Sequence, residues 1–203
     1  MNKYKLDILE TGSLAVNCYL IFNTEDKILY IIDPGEGDIE IINIAKKYDY
    51  KKCHILLTHA HVDHTKNVGK VFTELNVNQV YLHKNELELY YSDKNEIPPY
   101  ISKAENLPDT IDELEQNDFE IINTSGHTPG GVSFYFKEMN AVFTGDTLFF
   151  ETVGRTDLPC SDYEDLKKSI QQNLFCLDDK TIAYPGHGWK TSIGHEKKNN
   201  PYC

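Results

Sequence analysis

The run Thr58-His59-Ala60-His61-Val62-Asp63-His64 places three imidazoles and a carboxylate within six positions, directly after the apolar segment Cys53 to Leu57. Nitrogen and oxygen donors at that density are the chemistry of a divalent metal site. If the backbone stays extended after the strand, His59 and His61 project to one side, with small Ala60 leaving room between them, so the two share an ion. Asp63 and His64 fall where the chain turns into a helix, within reach of a second ion beside the first. Three further donors stand in strand-end or turn-forming contexts: His127 in Ser125-Gly126-His127-Thr128-Pro129-Gly130-Gly131, Asp146 in Thr144-Gly145-Asp146-Thr147, and His187 in Pro185-Gly186-His187-Gly188. Taken singly, His127 and His187 read equally well as ordinary loop histidines. Taken together, seven donors exceed what one tetrahedral or octahedral ion uses and match two ions. One ion then takes His59, His61 and His127, the other Asp63, His64 and His187, with Asp146 as the carboxylate bridge. His54, His83 and His195 lie off this pattern and read as structural or exposed.

The elements that must hold these donors are legible from periodicity and turn chemistry. Lys3 to Leu9, Asn17 to Phe22 and Lys27 to Ile32 read as successive strands separated by polar and glycine-containing turns. The third ends in Asp33-Pro34-Gly35, where Asp33 is either a turn residue or a hydrogen-bonding partner of the metal loop. Ile39, Ile41, Ile42, Ile44 and Ala45 space themselves for an amphipathic helix. After the strand Cys53 to Leu57, a helix is predicted over Thr65 to Leu75, then a short strand at Val80 to Leu82 and helical character from Asn85 to Tyr91. Ser92 to Thr110, with Pro98, Pro99 and Pro108, reads as a loop-rich insertion covering one side of the site. Phe119 to Ile122 resumes strand character, Ser133 to Phe136 and Ala141 to Phe143 form a hairpin-like pair, and Phe149 to Pro159 is a loop carrying Arg155. Ser161 and Glu164 suggest a capping box for a helix with Leu166, Ile170, Leu174 and Phe175 on its apolar face. Thr181 to Tyr184 is the last predicted strand, and the tail from Thr191 is basic and polar.

At 203 residues the chain is most simply one domain, 1–203, with a core large enough to need no covalent staples. Its 5 cysteines are odd in number and scattered, without a CxxC pair, which points to a reducing compartment rather than a disulfide framework or thiolate zinc site. No secretory leader and no apolar run of membrane-spanning length is present, so a cytoplasmic location with no membrane partner is expected. A formal charge of -12 argues against nucleic acid as a partner.

Asp33, the THAHVDH run, His127 in SGHTPGG, Asp146 in FTGDTLF and His187 in PGHG resemble, in order and spacing, the five motifs of the metallo-β-lactamase superfamily. Within it, GRTDLP (Gly154 to Pro159) and TSIGHEKKNNP (Thr191 to Pro201) resemble the short glyoxalase II-like hydrolases. The resemblance covers nearly the whole chain and implies an α/β fold, an αββα sandwich of two mixed sheets flanked by helices. It also implies two divalent metal ions, zinc first, with iron or manganese as alternatives.

The reaction implied is hydrolysis of a thioester such as S-lactoylglutathione by a hydroxide bridging ions ~3.5–4 Å apart, with Asp63 both ligating and orienting it. The competing reading is a persulfide dioxygenase of the same fold, which this chain resembles around GRTD and which uses one iron; the ligand types suit either. A non-catalytic or nucleic-acid-processing module is the third class. In glyoxalase II a lysine, a tyrosine two positions later, and a tyrosine two residues after the last histidine ligand contact glutathione. Arg155, Asp157 and Trp189 stand there instead. Arg155 is thus a candidate for a substrate carboxylate, with an Arg155–Asp157 ion pair as the equal alternative. Only 16 residues follow His187 where the full-length enzymes add a helical domain, so weakly saturable turnover of S-lactoylglutathione and tolerance of other small thioesters are expected.

Overall fold

The computed structural model describes residues 3–203. Its contacts divide after Leu114 into two compact units, where the sequence predicts one domain. Each unit has its own five-stranded sheet and its own apolar core.

In the N-terminal unit, β1 (Tyr4–Thr11), β2 (Val16–Asn23) and β3 (Ile28–Ile32) form an antiparallel meander. Two helical crossovers then add strands in parallel: α1 (Asp38–Ala45) leads to β4 (Lys52–Leu56), and α2 (Val62–Thr65) with α3 (Val68–Glu74) lead to β5 (Gln79–Tyr81), giving the order β1-β2-β3-β4-β5. Period-two alternation turns Cys18, Leu20, Phe22, Leu29, Ile31, Cys53 and Ile55 toward one face, where Ile41, Ala45, Val68 and Val71 of the helices cover them. Ile39, predicted on the apolar stripe of α1, is instead 59% exposed, because the stripe that reaches the sheet is Ile41, Ile42 and Ala45. A 3₁₀ turn, Lys84–Glu86, and α4 (Leu87–Tyr90) follow β5, and the insertion beyond them has no regular element.

The single helix predicted over Thr65 to Leu75 is two helices. The Asn67 amide donates to the Gly35 carbonyl (2.9 Å) instead of continuing the helical ladder, which breaks the chain between α2 and α3.

In the C-terminal unit the sheet order is β12-β11-β8-β7-β6. It comprises β6 (Glu120–Asn123), β7 (Val132–Phe136), β8 (Ala141–Gly145), β11 (Ile182–Pro185) and β12 (Thr191–Ser192), with only β8 and β11 parallel. The segment predicted as a plain loop contains a small ribbon, β9 (Leu148–Phe149) paired with β10 (Thr152–Val153). Leu166 of α5 (Tyr163–Ser169), Ile170 and Leu174 of the π-helical turn after it, and Ile193 of α6 (Ile193–Asn199) pack on Val142 and Ala183. The N-cap of α5 is Asp162, whose side chain accepts from the Asp165 amide (2.8 Å). The predicted cap Ser161 instead donates its hydroxyl to Leu158.

Two mixed sheets with helices packed on them agree with the α/β class the sequence predicts. All five cysteines are free, and no described helix is long and apolar enough to cross a membrane.

His54 on β4 is buried and stacked on Tyr30 (5.9 Å between ring centres). Burial, with Lys52 adding repulsion, pushes its pKa down to about 4. The unfolded chain therefore takes up this proton first on acidification. Stability contributed by neutral His54 is complete above its ordinary value of 6.5 and is lost between there and about 4. The melting temperature of metal-free protein is expected to fall over that window by an increment absent from His54→Gln, as thermal melts of the two across pH will show.

Candidate metal centre

The N-terminal donors follow the end of β4, the position where a parallel sheet delivers loop residues to a ligand. His61 keeps extended backbone (φ -56, ψ 143) before α2 begins, so His59 and His61 point together, their ring centres 4.8 Å apart and perpendicular. Asp63 and His64 lie on the first turn of α2, with His64 Nε2 3.8 Å from Asp63 Oδ2. The ring centre of His64 is 4.2 Å from that of His59. Both expectations for this run, same-side imidazoles and a helix starting under Asp63, therefore hold.

Asp33 organises the set. It ends β3 in left-handed backbone (φ 48), and its buried carboxylate accepts the Thr58 amide (2.9 Å), the Thr58 hydroxyl (2.7 Å) and the Nδ1–H of His64 (3.0 Å). Because the Thr58 hydroxyl hydrogen goes to Asp33, its oxygen accepts from His59 Nδ1 (3.0 Å). The Nδ1 protons of both rings are thereby fixed, and each presents the Nε2 lone pair that a metal takes. Of the two readings of Asp33, the hydrogen-bonding partner is the one realised. Gly35 completes the support: at φ +54, a Cβ there would lie 3.0 Å from the Asp63 carbonyl and 2.5 Å from Thr11 Oγ1, so glycine lets α2 settle against this turn.

The C-terminal donors gather within their own unit. Gly145 and Pro185 pair across the parallel strands β8 and β11, and the Gly186 amide donates to the Gly145 carbonyl (2.8 Å), so Asp146 and His187 leave the sheet side by side. His127 sits in the turn between β6 and β7 and donates Nδ1–H to the backbone carbonyl of Arg155 (2.8 Å). A carbonyl only accepts, so the His127 lone pair is on Nε2. Asp146 Oδ2 lies 3.6 Å from His127 Nε2 and 3.6 Å from His187 Nε2. Two donors on one tetrahedral zinc, each at 2.0–2.2 Å, are about 3.3 Å apart. Spacings of 3.6 and 3.8 Å, with the lone pairs of His64 and His127 already oriented, fit donors around a cation better than donors bonded to one another. Gly154 makes this geometry possible, since a Cβ there would fall 1.9 Å from the Asp146 carbonyl oxygen.

The Arg155 guanidinium forms a bidentate fork on Asp157 (2.8 and 2.9 Å), which holds the Asp157 carboxyl below the usual range. The group missed in the sequence is the Arg155 carbonyl, which no residue type reveals. Trp189, 80% exposed, joins Phe149, Phe150, Thr152, Gly188 and His187 around a cavity of about 440 Å³.

Residues 11–187 match the Metallo-beta-lactamase superfamily. The chain is 40% identical over 199 residues to a probable metallo-hydrolase, M6_Spy0554, of Streptococcus pyogenes, covering 92% of this chain and 84% of that one. It is 35% identical over 206 residues to hydroxyacylglutathione hydrolase GloC of Haemophilus influenzae, covering 97% of each. The crystal structure of the B3 metallo-β-lactamase BLEG-1 superposes with a TM-score of 0.86 at 31% identity, over 98% of this chain and 99% of that one. Sheets, donors and relatives together define a metal-dependent hydrolase. The chain belongs to the metallo-β-lactamase superfamily.

Asp33→Asn tolerates the left-handed backbone but offers His64 no second acceptor. It is expected to lower metal affinity 10–100-fold, measured by competition with a chromogenic chelator, while Thr58→Val has a smaller effect.

Proposed function

We propose that the two units work as one domain that hydrolyses a thioester at a centre of two divalent ions. The observation that carries this reading is Asp146 Oδ2, equidistant at 3.6 Å from His127 Nε2 and His187 Nε2, the position a carboxylate bridging two differently ligated ions would take. His59, His61 and His127 would hold one ion, Asp63, His64 and His187 the other, and Asp146 both. Bound zinc, or iron or manganese in its place, supplies Lewis acidity and lowers the pKa of a coordinated water to about 7. Asp63, beyond holding an ion, would accept a hydrogen bond from the attacking water and so orient it toward the thioester carbonyl. The thiolate leaves without a strong general acid, consistent with a donor set that contains no further acid.

The name of the GloC relative supports a hydroxyacylglutathione-type substrate. The local chemistry modifies that choice. With its guanidinium engaged by Asp157, Arg155 reaches a substrate carboxylate only by giving up a bidentate pair, so it adds affinity without strict dependence on glutathione. The cavity beside His187 has three aromatic walls and no lysine or arginine, which suits an uncharged part of a small thioester.

The deciding experiment is metal analysis of purified protein alongside hydrolysis of S-lactoylglutathione and of a thioester lacking the glutathione carboxylates. Two ions per chain and turnover of both substrates are expected. One iron per chain with oxygen uptake on glutathione persulfide would replace this reading with the dioxygenase, and turnover of a β-lactam alone would remove the thioester. Asp146→Ala is expected to lower kcat/KM by roughly 10³, about 4 kcal/mol of transition-state stabilisation. Arg155→Ala should raise KM for S-lactoylglutathione with kcat little changed, and Trp189→Ala should raise KM for both substrates.

A further inference from the structure

Ala60, between His59 and His61, is held at both of its peptide groups by side chains that the metal motif does not contain. Its amide donates to Glu86 Oε2 (2.8 Å), and its carbonyl accepts from Asn95 Nδ2 (2.7 Å), with a longer contact from the Thr65 hydroxyl (3.4 Å). Glu86 is 1% and Asn95 6% exposed, so both are polar groups taken out of water to meet one backbone residue. Glu86 ends the 3₁₀ turn after β5, and Asn95 lies in the insertion that follows α4.

The insertion is itself tied to the end of α2 and to α3. Lys66, directly after α2, donates to Ser102 Oγ (2.8 Å) and the Lys103 carbonyl (2.7 Å). At Gly69 on α3, a Cβ would lie 2.4 Å from the Asn106 carbonyl oxygen, so the insertion backbone rests directly on that helix. Asn95 is thus presented from a segment anchored on the two helices that follow the loop it grips.

We propose that Glu86 and Asn95 are positioning residues that clamp the Ala60 backbone and so set the directions of His59 and His61 toward a shared metal ion. The peptide planes on either side of Ala60 carry the two imidazoles. Rotating either plane swings a ring by an ångström or more, whereas a metal tolerates deviations of about 0.2 Å in ligand distance. Fixing both planes removes that freedom before the metal arrives. The 92–110 insertion then acts as the outer jaw of the metal loop.

The proposal rests on His59 and His61 being metal donors, and cobalt(II) binding by metal-free protein tests the two ideas separately. Affinity is read by chelator competition, and geometry by the visible absorption bands of bound cobalt(II). Asn95→Leu, which has no hydrogen to donate to the Ala60 carbonyl, and Glu86→Ala, which leaves the Ala60 amide without its acceptor, are each expected to weaken cobalt(II) binding 10–100-fold and to alter the bands. Glu86→Gln still offers an oxygen to the Ala60 amide and is expected to retain affinity and spectrum. Wild-type affinity and spectrum in Asn95→Leu would overturn the clamp, as would a loss in Glu86→Gln as large as in Glu86→Ala. A fall in metal-free melting temperature large enough to account for the affinity loss would also overturn it, reducing both residues to packing. Failure of the wild type itself to bind cobalt(II) would remove the donor assignment and the clamp with it.

Discussion

One buried carboxylate, that of Asp33, organises the candidate donors of the N-terminal unit. It takes three hydrogens, from the Thr58 amide, the Thr58 hydroxyl and the His64 ring, and through Thr58 it also settles the His59 ring. A side chain that far from water is tolerated because every hydrogen aimed at it comes from a fixed group. The interaction joins the end of β3 to the loop after β4, two strands already registered in parallel, so the sheet predetermines where the acceptor stands. Without it, two imidazoles would be free to choose tautomer and rotamer, and the density of donors in the sequence would not amount to a site.

The C-terminal unit orders its own candidate donors through the backbone. Parallel pairing of β8 and β11 delivers Asp146 and His187 to one sheet edge, and the carbonyl of Arg155 fixes the His127 ring. The first half uses an acidic side chain because its donors crowd one loop and need a common acceptor. The second draws three donors from three turns, and strand register does most of the placement. Both halves lean on glycine where main chain meets main chain, at Gly35 and Gly154.

What was legible in the sequence follows this division. The candidate donors stand out in the sequence because metal chemistry admits few residue types and their spacing at strand ends is restrictive. The two sheets could be read because alternation and turn residues mark strands well. The break between α2 and α3 could not, since it depends on the Asn67 amide finding the Gly35 carbonyl, a partner distant along the chain. The cap of α5 was displaced by one residue because Ser161 and Asp162 are both good caps, and only backbone direction chooses between them. The sequence draws attention to the Arg155 guanidinium, yet its carbonyl is the group that touches the candidate donor His127, and main-chain roles leave no trace in residue type. For Glu86 and Asn95, an acid and an amide in a polar stretch gave no hint of burial.

The placement of the donors also bears on how the chain acquires its metal during synthesis. Four of the seven candidate donors, His59, His61, Asp63 and His64, together with Asp33, belong to the unit that ends at Leu114. Synthesis passes through those four positions well before Asp146 or His187 is added to the chain. A nascent chain therefore exposes a nitrogen- and oxygen-rich cluster while its later carboxylate and imidazoles are still missing, and the first cation to meet it encounters a partial coordination shell. A cation taken up at that stage would be chosen by what is at hand at that moment, in addition to the equilibrium preferences of the finished protein.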